Sequence, residues 1–268
     1  MNLLTEGILS VFSHLSQIQQ LQDIMKGLRL VETAKHLPHL IREAEQKDLS
    51  FTQFLLDVTS YEQTRREEKQ LNNRLKWATF PFSKTLEEFN LKEQKSLSNK
   101  QLNRLKDLTW IEQLYNLILL GPPGVGKTHL AVGLGIEAIN QGYKAIFTSM
   151  GDLIHNLKTE EITRKSKARM KRIREADLVI IDDLMFMAMD QQEANMFFHL
   201  INDLYNQSSI ILTSNKAPKE WGELLGDQAI TTAILDRILH RVEIIHLNED
   251  SYRMKHRSTI FGEQSVSK

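Results

Sequence analysis

The sequence predicts an α/β protein, a P-loop parallel sheet with helices on both faces, preceded by an all-helical N-terminal domain. Three observations carry this. An apolar run at 117–120 enters a Gly/Pro-rich loop that opens a helix-periodic segment through Leu130, Ala131, Leu134, Ile136 and Ala138. Downstream, apolar runs at 144–149, 177–182, 209–213 and 242–247 alternate with helical patterns, the signature of parallel strands joined by crossovers. Upstream, the chain to residue 76 carries helical periodicity alone.

Composition narrows the classes. A chain of 268 residues can hold one α/β domain plus a smaller helical piece. Its 34 basic and 34 acidic side chains balance, so any attraction to nucleic acid must come from a local patch. Cysteine is absent, which excludes a disulfide scaffold and Cys-based zinc sites and fits a reducing compartment. No Lys or Arg precedes Lys26, so the N-terminus does not read as a signal peptide, and no apolar stretch is long enough to cross a membrane. The expectation is a soluble, cytoplasmic protein with no membrane partner.

Taken in order, residues 1–29 carry Leu4, Ile8, Val11, Leu15, Ile18 and Met25 on one helical stripe, broken only by Gln22. That stripe fits a helix docked on the protein's own core or on another protomer or partner. Leu30, Val31, Ala34, Leu37 and Ile41 continue the helical pattern. Ser50 with Gln53 gives a capping-box signature ahead of Phe51, Phe54, Leu55 and Val58. This last helix runs on to Lys76, with Glu62 and Arg66 as an i,i+4 pair. Its Arg65, Arg66, Lys69, Arg74 and Lys76 make a solvated face or a DNA contact. Residues 1–76 are thus expected as a helical interaction or oligomerisation domain, 77–98 as a linker, and 99–268 as the nucleotide domain.

The loop after the first strand is Gly121-Pro122-Pro123-Gly124-Val125-Gly126-Lys127-Thr128-His129. It fills the phosphate-loop pattern, in which glycines let backbone N–H groups surround an anion at a helix N-terminus. These nine residues are the candidate binding site for a nucleoside triphosphate, ATP. Lys127 would reach the β/γ-phosphates, and the Thr128 hydroxyl would ligate Mg²⁺.

About fifty residues on, Leu178-Val179-Ile180-Ile181-Asp182-Asp183 is a buried strand ending in acid. Its carboxylates belong at the carboxyl edge of the sheet, where open α/β folds hold ligands. Asp182 would hold Mg²⁺ directly or through water, and Asp183 would orient or deprotonate the attacking water. A third strand ends in Thr213-Ser214-Asn215. There Asn215 can hydrogen-bond the lytic water or the γ-phosphate.

The succession of phosphate loop, Asp-Asp, Thr-Ser-Asn, Leu235-Asp236-Arg237-Ile238-Leu239 and Ser251-Tyr252-Arg253 resembles the AAA+ ATPases of the IstB/DnaC group. Within it, Lys84-Thr85-Leu86-Glu87-Glu88-Phe89, Gly121–Thr128 and Leu235–His240 are similar to the IstB-like helper ATPases of bacterial insertion sequences. The similarity covers roughly residues 25–258. It implies an AAA+ fold with a minimal C-terminal lid, and a DNA-assembled homo-oligomer that hydrolyses ATP and recruits or activates a cognate transposase on duplex DNA. A replicative helicase loader of the DnaC type is the alternative. It further implies an arginine finger at Arg237, acting on a neighbouring protomer's nucleotide, and a nucleotide-sensing Arg253. By spacing alone, these would be a surface helix pair and a solvated basic tail. In this group DNA lies along the inner face of a ring or spiral, and the densest basic run, Arg164–Arg174, is the best local candidate. Arg164, Lys165, Lys167 and Arg169 would neutralise phosphates. Two departures stand out. Asp183 occupies a position where many AAA+ proteins have Glu, and Leu184-Met185-Phe186-Met187 replaces a Gly-Tyr-Leu-Pro turn.

Overall fold

The computed structural model describes residues 16–91, 93–184, 189–223 and 228–252. Arg253, the stripe positions Leu4, Ile8, Val11 and Leu15, and residues 185–187 lie outside the described residues. The chain divides into two compact units, residues 1–73 and 74–268.

The first unit contains α1 (16–27), α2 (Val31–Gln46) and the larger part of α3 (Phe51–Ala78). Pro38 lies inside α2. Proline has no N–H, so the carbonyl of Ala34, four residues earlier, loses its helical donor. The Gln22 side chain supplies one, with Nε2 donating to Ala34 O at 2.6 Å. The polar break in the predicted apolar stripe is thus a replacement donor for the proline. The Ser50 hydroxyl caps α3 by accepting from Gln53 N at 3.2 Å, but Gln53 turns its own amide to Asp57 at 2.8 Å, so only half of the capping box forms.

Helices α2 and α3 are tied through Glu62. Its carboxylate is buried and accepts from Thr33 N at 2.8 Å, Thr33 Oγ1 at 2.9 Å and Arg66 Nε at 2.8 Å. Burial pushes this carboxyl up, but the Thr33 backbone bond and the Arg66 and Thr33 side chains outweigh it and hold the group below the ordinary range.

The second unit is a five-stranded, wholly parallel sheet in the order β2-β3-β4-β1-β5. The strands are β1 (Asn116–Leu120), β2 (Ala145–Ser149), β3 (Leu178–Asp182), β4 (Ser209–Ser214) and β5 (Val242–His246). Short helices α4 (Asn99–Lys106) and α5 (Thr109–Glu112) precede β1, and the crossovers carry α6 (Lys127–Asn140), α7 (Met150–Thr159), α8 (Arg164–Arg174), α9 (Gln191–Leu204) and α10 (Gln228–Leu239). Side chains alternate across the sheet. Ile118, Leu120, Val179 and Ile181 pack with Met150, Met170, Phe197 and Ile234 of the α7–α10 layer, while Ile180 points at α6 beneath Gly135. Both faces are covered over β1 to β4, which is why those strands read as largely apolar runs, whereas the edge strand β5 leaves Glu243, Ile244 and His246 exposed. At the start of β1, Asn116 is buried, donates Nδ2 to Ile238 O at 2.9 Å and accepts from Ile210 N at 3.0 Å. It fixes β1 between β4 and the approach to β5.

The segment expected as a linker is part of this unit. A Cβ on Gly133 would lie 2.6 Å from Leu86, and one on Gly135 would lie 2.8 Å from Phe80. The two mid-helix glycines are therefore where the segment lies down on α6. Edge strand β2 is protected in a similar way: the carbonyl of Phe147 accepts from Thr79 Oγ1 at 3.1 Å and from Arg169.

Replacing Gln22 by Leu completes the apolar stripe yet strands the Ala34 carbonyl. A loss of about 1–2 kcal/mol is expected in urea denaturation followed by helical circular dichroism. Glu62 carries a lowered folded-state pKa, so its contribution is present above the unfolded value of about 4.3 and declines as pH falls below it. Acid titration should show this decline in the wild type and a flatter profile in Glu62→Gln.

Candidate nucleotide site

The phosphate loop joins β1 to α6, with Gly126 as the helix N-cap at φ 97°, a left-handed value that favours glycine. Three outside contacts hold the loop's shape. Gly121 N donates to Ser214 O at 3.2 Å, Tyr252 N donates to Gly124 O at 3.0 Å, and Gln94 Nε2 donates to Val125 O at 2.7 Å. Gly124 leaves no room for a side chain, since a Cβ there would lie 2.2 Å from Ser251 Oγ. Lys127 folds back over the loop and donates to Gly121 O at 2.7 Å and Pro122 O at 2.9 Å.

The acids meet this loop. Thr128, in the first turn of α6, donates Oγ1 to Asp182 Oδ1 at 2.9 Å and contacts Oδ2 at 3.2 Å. From the other side, Thr213 Oγ1 donates to Asp182 Oδ1 at 2.6 Å and accepts from Asp183 N at 2.9 Å. Asp183 sits at φ 59° and is exposed. A non-glycine residue in that region is uncommon; the Thr213 hydroxyl and the Leu184 N–H to Thr213 O bond at 3.0 Å hold it there. Asn215 is exposed and follows directly on β4, the strand between β3 and β1. Lys127, Thr128, Asp182, Asp183 and Asn215 therefore gather at one edge of the sheet.

Beside the loop is a cavity of about 390 Å³. Phe89, Gln94, Gly126, Lys127, His129 and Tyr252 are among its walls. His129 Nε2 donates to Thr85 O at 3.0 Å, and its ring meets Phe89 edge-on with centroids 5.3 Å apart. Phosphate loop and cavity together can hold a triphosphate and its base.

The remaining predicted residues lie elsewhere. Because β5 runs parallel to β1 from Asn116↔Val242 to Leu120↔His246, Arg237, ahead of β5, is at the opposite edge of the sheet from its own phosphate loop. Its guanidinium donates to Asn202 Oδ1 at 3.1 Å and Ala233 O at 2.9 Å and lies 4.9 Å over the Phe198 ring. On α8, Arg164, Lys165 and Lys167 are exposed. Arg169 requires a correction. Its guanidinium bonds Trp77 O at 3.2 Å, Thr79 Oγ1 at 2.6 Å and Phe147 O. Burial, with Arg172 nearby, lowers its pKa. It is a strut for the sheet edge rather than a phosphate contact. Arg174 is similarly engaged by Glu160 at 2.9 Å and Asp203 at 3.1 Å. Conversely, sequence analysis assigned no role to Gln94, Phe89 or Thr213. Phe89 and Thr213 stood inside recognised motifs, whereas nothing marked Gln94.

Comparison with known proteins agrees with this geometry. A profile of the family described as IstB-like ATP binding protein matches residues 23–260. The chain belongs to the IstB-like ATP-binding family. Bacterial relatives in that family include one from Bacteroides fragilis named as the ATP-binding protein of an IS21-like insertion sequence. It is 38% identical over 92% of this chain and 94% of its own length. Another, from Pseudomonas aeruginosa and named for insertion sequence IS21, is 36% identical over 89% and 90%. Among solved structures, a replication initiator DnaA bound to AMPPCP and single-stranded DNA is similar at TM-score 0.51 and 26% identity, covering 66% of this chain and 54% of that one. DnaI shares the fold at TM-score 0.52 and 17% identity, covering 62% and 91%. This IstB-like protein is an ATP-binding protein of the AAA+ type, and among the described residues no helix is long and apolar enough to cross a membrane.

Lys127→Ala removes the cation that would hold the β/γ-phosphates. Titration with a fluorescent ATP analogue should show affinity reduced by about a hundredfold or more, with the fold retained by circular dichroism.

Proposed function

We propose that this IstB-like protein is a Mg²⁺-dependent ATPase that assembles on duplex DNA as a homo-oligomer and recruits or activates a partner transposase, with hydrolysis resetting the assembly. The observation that carries this reading is the bonded set Thr128, Asp182, Thr213 and Asp183 at the mouth of the phosphate loop. Thr128 and Asp182 offer hard oxygens 2.9 Å apart, a pair suited to Mg²⁺ completed by phosphate oxygens and water. The ion would offset charge on the β- and γ-phosphates.

In hydrolysis, a water oxygen attacks the γ-phosphorus as its bond to the β–γ bridging oxygen breaks. Asp183 takes the water's proton, Asn215 holds the water or the γ-phosphate, and Lys127 leaves its loop carbonyls for the phosphates. The left-handed backbone of Asp183 supports such a role, because strained non-glycine residues gather at functional sites. Arg237 completes the site of a neighbouring protomer. Its position at the sheet edge opposite its own phosphate loop supports action in trans rather than in cis.

The exposed Arg164, Lys165 and Lys167 support a DNA contact on α8, as does the likeness to a DnaA structure bound to single-stranded DNA. The helical unit leaves Ile24, Leu28, Phe51 and Leu55 exposed, with Phe51 90% accessible. Such apolar surface supports contact with another protomer or with the transposase.

The deciding measurement is mass by light scattering with and without duplex DNA, in ATP·Mg²⁺ and in ADP. Growth to a large species only with ATP and DNA is expected; a monomer under every condition would remove the assembly and the trans-acting Arg237 together. Arg237→Ala is expected to bind ATP normally and to lose DNA-dependent hydrolysis by a factor of about 10³. Full DNA-stimulated turnover in that variant would assign the finger elsewhere.

A further inference from the structure

Helix α8 carries no aromatic residue among its cations, so its own sequence offers phosphate contacts and no surface for a base. The fold brings a ring to it. At the end of α3, the Trp77 carbonyl accepts from Arg169 at 3.2 Å. About one turn further along α8, the Arg172 guanidinium stands over the Trp77 ring, 5.3 Å from its centroid. Tryptophan is highly buried on average, as Trp110 and Trp221 are here, at 8% and 0% accessible. Trp77 is 53% accessible.

The positive charge beside this ring is little compensated. Arg169 gives its donors to neutral oxygens, those of Trp77, Thr79 and Phe147, and Asp152 is the acid that acts on it. The other carboxylates gather at the far end of α8, where Glu175 pairs with Lys171, and Glu160 and Asp203 with Arg174. Among the described residues, Arg164, Lys165, Lys167 and Arg172 have no carboxylate partner. Lys165 lies one turn before Arg169 on the same face of α8. An open ring among such cations is complementary to a polyanion that carries flat heterocycles.

We propose that Trp77, with Arg172 over its ring, is a stacking site for an unpaired base of single-stranded DNA, and that the exposed cations of α8 hold the flanking phosphates. A base can stack on the indole only if its own face is free. In a duplex the faces are taken by neighbouring pairs, whereas in a single strand they are open. The inference rests on α8 as a DNA contact, and it goes further by naming the ring that takes a base and the state of the strand it takes.

The test uses the full chain in ATP·Mg²⁺ and the anisotropy of three labelled probes. These are single-stranded oligothymidylate, a strand of equal length that is abasic throughout, and a fully paired duplex. The wild type should bind the base-bearing strand about tenfold tighter than the abasic one. Trp77→Ala should bind the two single strands alike and leave duplex binding within about twofold of the wild type. Trp77→Phe, which keeps a ring, should restore the preference in part. The alanine variant should fold, because Arg169 holds the Trp77 carbonyl and not its indole. A second readout needs no variant. With Trp110 and Trp221 buried, unlabelled base-bearing strand should quench the protein's tryptophan emission, and the abasic strand should not. Equal binding of the two single strands by the wild type would overturn the proposal. So would a Trp77→Ala protein that keeps the preference, or emission that the base-bearing strand leaves unchanged. A wild type that binds none of the three probes would overturn the DNA contact itself, a distinct outcome.

Discussion

The Asp182 carboxylate is the point on which the site depends. Two hydroxyls converge on it, from Thr128 at the start of α6 and from Thr213 near the end of β4. That convergence is possible only because β3, β4 and β1 are parallel neighbours whose carboxyl ends share one edge. An antiparallel pairing of any of them would send one hydroxyl to the far side of the sheet. Thr213 does a second task with the same oxygen, accepting the Asp183 N–H and so holding the second acid in its left-handed turn. Strand order, side-chain chemistry and backbone strain are coupled through one hydroxyl.

The phosphate loop does not hold itself. Phe89 and Gln94 approach from one side, Phe89 against Gly126 and Gln94 on Val125. Residues 247–252 lie along it elsewhere, through Leu247 N to Leu120 O at 2.7 Å and Tyr252 N to Gly124 O. The loop's glycines therefore answer to protein neighbours as well as to phosphate.

Much of this was legible in the sequence, because local patterns report local structure. The loop, the acid-ended strand and the alternation of strand and helix each have a spacing that physics dictates. What stayed hidden depends on contacts far along the chain. Gln22 looks like a flaw in a stripe until Pro38 is seen to free the Ala34 carbonyl beside it. Arg169 looks like a member of a basic patch until the edge of β2 is seen to need a donor. Phe80 and Leu86 have no periodicity to announce them, since they match glycines on another element rather than a repeat of their own. Gln94 is silent for the same reason: it matters because its amide nitrogen holds the Val125 carbonyl, 31 positions further along the chain.

The sheet order has a consequence for the birth of the protein. Strand β1 emerges from the ribosome well before either of its two partners, β4 and β5. Until Val242–His246 and the turn after it exist, the phosphate loop lacks one flanking strand and the contacts on Gly121 and Gly124. Pairings this distant along the chain close slowly. The shape of the phosphate loop therefore waits on segments made long after the loop itself, so the nucleotide site is a late product of folding although its signature motif is read early.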